Sequence, residues 1–108
     1  MADTAQETPV LDTLTEMTAT SLEHCSLDPI TLMLVRIAAL VAADAPPASY
    51  LLNAGAAGEA GVTVDQVQDV MSAVAPIVGA PRVVAAVGNI ARAYGFAISL
   101  ADADVDLT

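Results

Sequence analysis

The chain has no tryptophan, no lysine and a single cysteine in 108 residues. Each absence removes a class of function. One cysteine, Cys25, permits no intrachain disulfide. Three arginines against thirteen carboxylates give a net charge of −10, so phosphate backbones and anionic lipid surfaces are repelled, and neither nucleic acid nor membrane is an expected partner. The longest apolar run, residues 30–43, holds Arg36 and falls short of the roughly 20 residues that a membrane-spanning helix needs. The opening MADTAQETPV carries neither a basic region nor an apolar signal run, which sets a cytoplasmic protein as the expectation. Aromatic side chains make up only 3%.

What is present is small and apolar. Hydrophobic residues are 56% of the chain and mean hydropathy is +0.64. A compact 10.9 kDa chain exposes roughly 5,600 Å² and buries about 65% of its unfolded surface, enough for one modest domain core. Alanine and valine bury little area each. The apolar excess therefore predicts subunit contacts and a homo-oligomer.

Spacing predicts an all-α chain of five to six helices. Residues 1–7 are a polar, frayed N-terminus. Thr8 and Pro9 form a helix start. Leu11, Leu14, Thr18, Leu22 and Cys25 then form one seam, with Asp12, Glu16 and Glu23 on another face. Asp28 and Pro29 open a second helix that is apolar all round except at Arg36, as a central helix should be. Pro46 and Pro47 break it and begin a third helix over about 47–60, stopped by Gly61. Thr63 and Gln66 make a capping-box pattern for a fourth helix with a Val67, Val70, Val74 and Val78 stripe, which Pro76 should kink or end. After a Gly79-Ala80-Pro81 turn comes a fifth helix. Val83, Val87, Ile90 and Tyr94 point inward, Arg82, Asn89 and Arg92 lie on a second face, and Gly95 is the expected stop. The helical domain is thus 8–97, and 98–108 reads as a solvated acidic tail that keeps an apolar assembly in solution.

The succession of Leu27-Asp28-Pro29, apolar helix, short helix, Gly61-Val62-Thr63, capped helix and Gly79-Ala80-Pro81 resembles the carboxymuconolactone decarboxylase family, which includes the alkylhydroperoxidase D-like proteins. The resemblance covers about residues 10–96. It implies an all-α, alkylhydroperoxidase D-like bundle assembled as trimers or hexamers. It also implies where chemistry would sit. Redox members carry a Glu in the helix after LDP, a Cys-x-x-Cys at the start of the next helix, and a His four residues after the second Cys. That arrangement lowers a thiolate pKa at a helix N-terminus and relays protons. At the matching places stand Met33, Pro46, Ser49 and Asn53. A peroxidase of the family type has no nucleophile here, since Cys25 lies well before the motif.

The candidate site residues follow from that vacated position. Ser49 and Asn53, four apart on one helix face, and Tyr50 beside them offer hydroxyl, amide and phenol groups. No base is evident beside Ser49, so serine nucleophilic chemistry is not expected. The plainer role for Ser49 and Asn53 is to satisfy helix ends or neighbouring carbonyls. Arg36 needs a carboxylate or carbonyls, and Glu16 or Glu23 is the expected partner; the alternative is an anionic ligand held in the pocket. Arg82 joins the ligand-binding candidates, because a cation in a first helical turn opposes the helix dipole. Arg92 reads as a surface or interface ion pair. His24 and Cys25 are adjacent and do not face each other on a helix, and no second His or Cys completes a metal site. No metal and no cofactor are expected.

Two functions compete. In the first, favoured reading, the protein is a non-redox oligomer that binds a small apolar or anionic molecule, or co-assembles with an active family paralogue. In the second it is a repurposed, cofactor-free lyase, isomerase or cyclase, using Arg36, Ser49, Tyr50 and Asn53 on a carbonyl- or carboxylate-bearing substrate. Peroxidase activity ranks last.

Overall fold

The computed structural model describes residues 8–106, and side chains up to Tyr94. The described residues form five helices: α1 Pro9–Glu23, α2 Pro29–Ala42, α3 Pro47–Ala60, α4 Val64–Val78 and α5 Ala80–Asp106. There is no strand among them.

Helix α2 is the centre. Its mean composition is the most apolar of the five, and it packs against α3, α4 and α5. Val41 is 0% exposed and is joined in the core by Ile37 of α2, Tyr50 of α3, Val67, Val70 and Met71 of α4, and Ala86, Ile90 and Ala93 of α5. The spacing of Val67, Val70, Val74 and Val78 served as read, with Val74 and Val78 half-buried against that core. On α5 the seam is rotated slightly from the expected one. Val87 is 52% exposed, while Ala86 and Ala93 are buried. Small alanines let α5 lie close along α3, and closeness outweighs the larger side chain of valine.

Local signals set the helix ends. Asp28 accepts from the Thr31 backbone N–H at 3.0 Å, and Thr31 Oγ1 donates to Asp28 Oδ1 at 2.6 Å. Those two bonds, the side-chain one foremost, hold the Asp28 carboxyl below its ordinary value. Thr63 and Gln66 form a complete capping box at 3.1 and 2.9 Å. Thr8 precedes α1 as expected, yet its side chain makes no cap bond and donates instead to Asp12 at 3.3 Å. Pro76 sits inside α4, which runs two residues further before Gly79 ends it at φ 89°. The turn to α5 is therefore Gly79 alone, with Pro81 already in the first helical turn.

Two helices end in the same hydrogen-bonded motif. After α2, Ala45 N donates to Leu40 O at 3.0 Å and Asp44 N to Val41 O at 3.1 Å, with Asp44 left-handed at φ 56°. After α3, Val62 N donates to Ala57 O at 3.0 Å and Gly61 N to Gly58 O at 3.1 Å, with Gly61 at φ 90°. The double proline is thus not what stops α2. The stop comes at Asp44, one of the few side chains that tolerates this backbone region.

Two expectations fail. The fifth helix does not stop at Gly95 but continues to Asp106, so the described part of 98–108 is helical backbone. No proline follows Gly95, and the residues after it, Phe96 to Ala101, tolerate a helix. The apolar seam of α1 also finds no interior: none of its fifteen residues is buried. Leu11, Leu14 and Leu22 stand open to solvent, as does Met17 at 61% exposure. The polar N-terminus expected over residues 1–7 lies outside the described residues.

The two glycine environments give opposed expectations. Gly61→Ala should lower stability by about 1 kcal/mol, since a Cβ opposes the left-handed backbone. Gly55→Ala, inside α3 with no atom within 4 Å of an added Cβ, should raise it by about 0.5–1 kcal/mol. Urea unfolding followed by helix content checks both; equal signs would show that the Gly61 backbone is not constrained.

Candidate functional site

The position that redox relatives would fill lies at the start of α3. Pro46 takes the N-cap place and is exposed, and Pro47 opens the helix. Ser49 is half-buried, and its backbone N–H donates to Pro46 O at 3.0 Å. Met33 is buried on α2. Tyr50 turns inward and is 6% exposed.

Behind this start is an inner cavity of about 10 Å³, room for one water. Tyr50, Asn53, Ala54 and Ala57 of α3 face Ile37 and Leu40 of α2, Val67 of α4, and Ile90 and Tyr94 of α5 across it. Its polar groups are two phenols and one amide. No carboxylate, imidazole or thiol lines it. Burial holds the Tyr50 phenol above its ordinary pKa of 10.0, and the nearby Asp44 carboxylate pushes it further the same way. Tyr50 is therefore a neutral group at physiological pH and cannot act as a base.

Asn53 belongs to two places. Its Nδ2 donates to Ser49 O at 2.8 Å, four residues back along its own helix. This is the carbonyl-satisfying role expected of the plainer reading. The same residue also borders an open groove of about 330 Å³ on the outer side of α2 and α3. That groove is lined by Arg36, Ala39 and Leu40 of α2, by Asn53, and by Met17, Thr18 and Ser21 of α1.

Arg36 is in the groove and not in the inner cavity. The expected ion pair with Glu16 or Glu23 does not form. Arg36 Nη2 donates to Ser21 Oγ at 3.3 Å instead. The reason lies in helix geometry. At 100° per residue, Asp12, Glu16 and Glu23 cluster on the side of α1 opposite to Met17, Thr18 and Ser21, which are the residues that face Arg36.

The other two arginines serve the backbone or a neighbouring amide. Arg82 Nη1 donates to Ala42 O at 2.6 Å, at the C-terminal end of α2, and Asn89 Nδ2 donates to Ala45 O at 3.2 Å in the loop beyond. Together they tie the first three turns of α5 to the end of α2 and the α2–α3 connection. Arg82 thus satisfies a helix-end carbonyl where a cation is favourable. It lies on neither cavity. Arg92 Nη1 donates to Asn89 Oδ1 at 3.2 Å, and it pairs with no carboxylate among the described residues.

The structure therefore divides the candidates. Tyr50 and Asn53 share the inner cavity, Arg36 and Asn53 share the outer groove, and Ser49 and Arg82 line neither. The α1 contribution of Met17 and Ser21 was not legible from the chain, because it depends on where a helix without buried residues comes to rest. His24 is exposed and Cys25 half-buried just past the end of α1. Among the described residues no group of three His, Cys, Asp or Glu side chains is placed to hold a metal ion. No helix of the described residues is long and apolar enough to cross a membrane.

Tyr50 gives a pH test. Its folded-state pKa is raised, so its contribution is fully present below pH 10 and is lost as pH rises above the unfolded value toward the folded one. Stability measured between pH 9 and 11 should fall more steeply in the native chain than in Tyr50→Phe; parallel curves would show that the phenol is not held neutral by the fold.

Comparison with known proteins agrees with this architecture. The model of the carboxymuconolactone decarboxylase family matches residues 8–92. No curated protein and no solved structure gives a significant match. The family match spans α1 to α4 and the first half of α5, and on that ground the chain belongs to the carboxymuconolactone decarboxylase family.

Proposed function

We propose that this protein is a cytoplasmic, non-redox member of its family: a homo-oligomer that binds a small anionic molecule with an apolar body. The observation that carries this reading is the division of the site. Behind the start of α3, where redox relatives carry their reactive pair, the inner cavity is the size of one water and is walled largely by alanine, valine, leucine and isoleucine. A peroxide and a resolving thiol have no room there. The usable volume is the outer groove, and its one charge is Arg36.

A guanidinium beside apolar carbons selects a carboxylate or similar anion with an apolar tail. The groove, at about 330 Å³, is at the small end of ligand pockets, which suits a molecule of a few carbons to a single ring. Asn53 can orient such a ligand through the second N–H of its amide, since only one is engaged with Ser49 O. Repurposed catalysis would need a base beside Tyr50 or Arg36. Neither cavity is lined by a carboxylate or an imidazole, and Asp44, the carboxylate near Tyr50, acts on the phenol through its charge from outside the cavity.

Peroxide assays with a dithiol reductant test the non-redox part. Turnover should equal that of the buffer and be the same in Cys25→Ser. Turnover above background that survives the Cys25→Ser change would mean that a reductant other than a protein thiol operates, and the reading would fail.

A further inference from the structure

We infer that Leu40, with Asn53 beside it, is the end wall of the Arg36 groove. It sets the length of the ligand's apolar tail, and the inner cavity is the space a longer tail enters once Leu40 is cut back. The assignment rests on the ligand reading of the groove given above, and it narrows the ligand class to short straight-chain monocarboxylates.

The two cavities meet at two side chains. Among the described residues, only Leu40 and Asn53 line both the outer groove and the inner cavity. They are held differently. The Asn53 amide is anchored by its 2.8 Å bond to Ser49 O, four residues back on α3. Leu40 is half-buried, has no polar atom and is held by packing alone. The size and rotamer of Leu40 therefore decide whether the cavities stay separate.

The position of Leu40 on the helix fixes what it measures. Arg36 and Leu40 are four residues apart on α2 and share one face, with about 6 Å of helix axis between them. On α2 the apolar lining residues, Ala39 and Leu40, both lie on the C-terminal side of Arg36, which directs a tail towards Leu40. A tail of about five carbons fills that span. Beyond it, Ala54 and Ala57 present only methyl groups to the inner cavity. At about 10 Å³ that cavity takes no part of a carbon chain while Leu40 stands. An alanine at position 40 joins it to the groove, and a core relaxes only partly around such a loss, so the added space persists.

Charge restricts the head group. Among the described residues Arg36 is the only charged side chain lining the groove, in a chain of net charge −10. A second carboxylate at the far end of the tail would be desolvated against Leu40 with no cation to meet it. A dicarboxylate of the same length is therefore rejected.

The test uses the full chain and calorimetry with butanoate, hexanoate, decanoate and hexanedioate. In the native chain, affinity should rise about fourfold per methylene from butanoate to hexanoate and gain nothing further at decanoate. Hexanedioate should bind at least tenfold more weakly than hexanoate. Leu40→Ala should bind decanoate at least tenfold more tightly than the native chain does, and butanoate within twofold. Adding Ala54→Leu should cancel the decanoate gain by refilling the inner cavity. Leu40→Phe should weaken hexanoate at least tenfold and leave butanoate unchanged. Circular dichroism reports whether each variant is folded, and Leu40→Phe alone decides if Leu40→Ala unfolds. A native length profile in the folded variants overturns the inference, as does a change equal at all lengths or a decanoate gain that survives Ala54→Leu. Arg36→Gln should lose every ligand alike. If the native chain binds no monocarboxylate, or Arg36→Gln binds them undiminished, the ligand reading itself is overturned and the end wall falls with it.

Discussion

The burial of α2 is the constraint on which the remaining structure depends. A helix apolar on nearly every side has no stable place at a surface, so α3, α4 and α5 are arranged to surround it. Val41, without any exposure, lies in the core that residues of all four helices form. Everything polar near that point is recruited to finish the helix: the Asp44 backbone turns left-handed, Ala45 and Asp44 return their N–H groups to α2 carbonyls, and Arg82 reaches across from α5 to the Ala42 carbonyl. Helix ends in a protein interior leave orphan carbonyls that cost free energy unless paired. Here the pairing also fixes where α5 begins, and through it the floor of the inner cavity.

The order of the helices was legible because their start signals are local. Asp28 with Pro29, Thr63 with Gln66 and the glycine at 61 each act within one turn, and no tertiary contact was needed to read them. The stop at Asp44 was missed because the louder signal, Pro46-Pro47, stands two residues beyond it. The end of α5 was misread because a glycine is a stop only when the chain turns left-handed there, and sequence does not show that turn. On α5 the inward alternation was read from valine, whereas close approach to α3 favoured alanine.

The site was legible in its residues and not in its grouping. Arg36, Tyr50 and Asn53 were singled out together as one pocket, yet they line two cavities, which share Leu40 and Asn53. Whether an arginine on a helix faces Glu16 or Ser21 depends on a rotation of α1 of about half a turn, and no local rule fixes that rotation for a helix that buries none of its residues. Arg82 was judged by its chemistry alone, and its guanidinium turned out to have a backbone partner, the Ala42 carbonyl.

The core's composition has a thermodynamic consequence. Valine, alanine and methionine supply most of it, and α1 adds no buried residue. Little apolar surface is therefore exposed when a single chain unfolds. Its heat-capacity increment is small, and its stability curve is shallow across temperature. A contact between copies would add the missing area from outside the chain and couple folding to mass action. The temperature at which such a protein melts is then set by how much of it is present as well as by what it is made of.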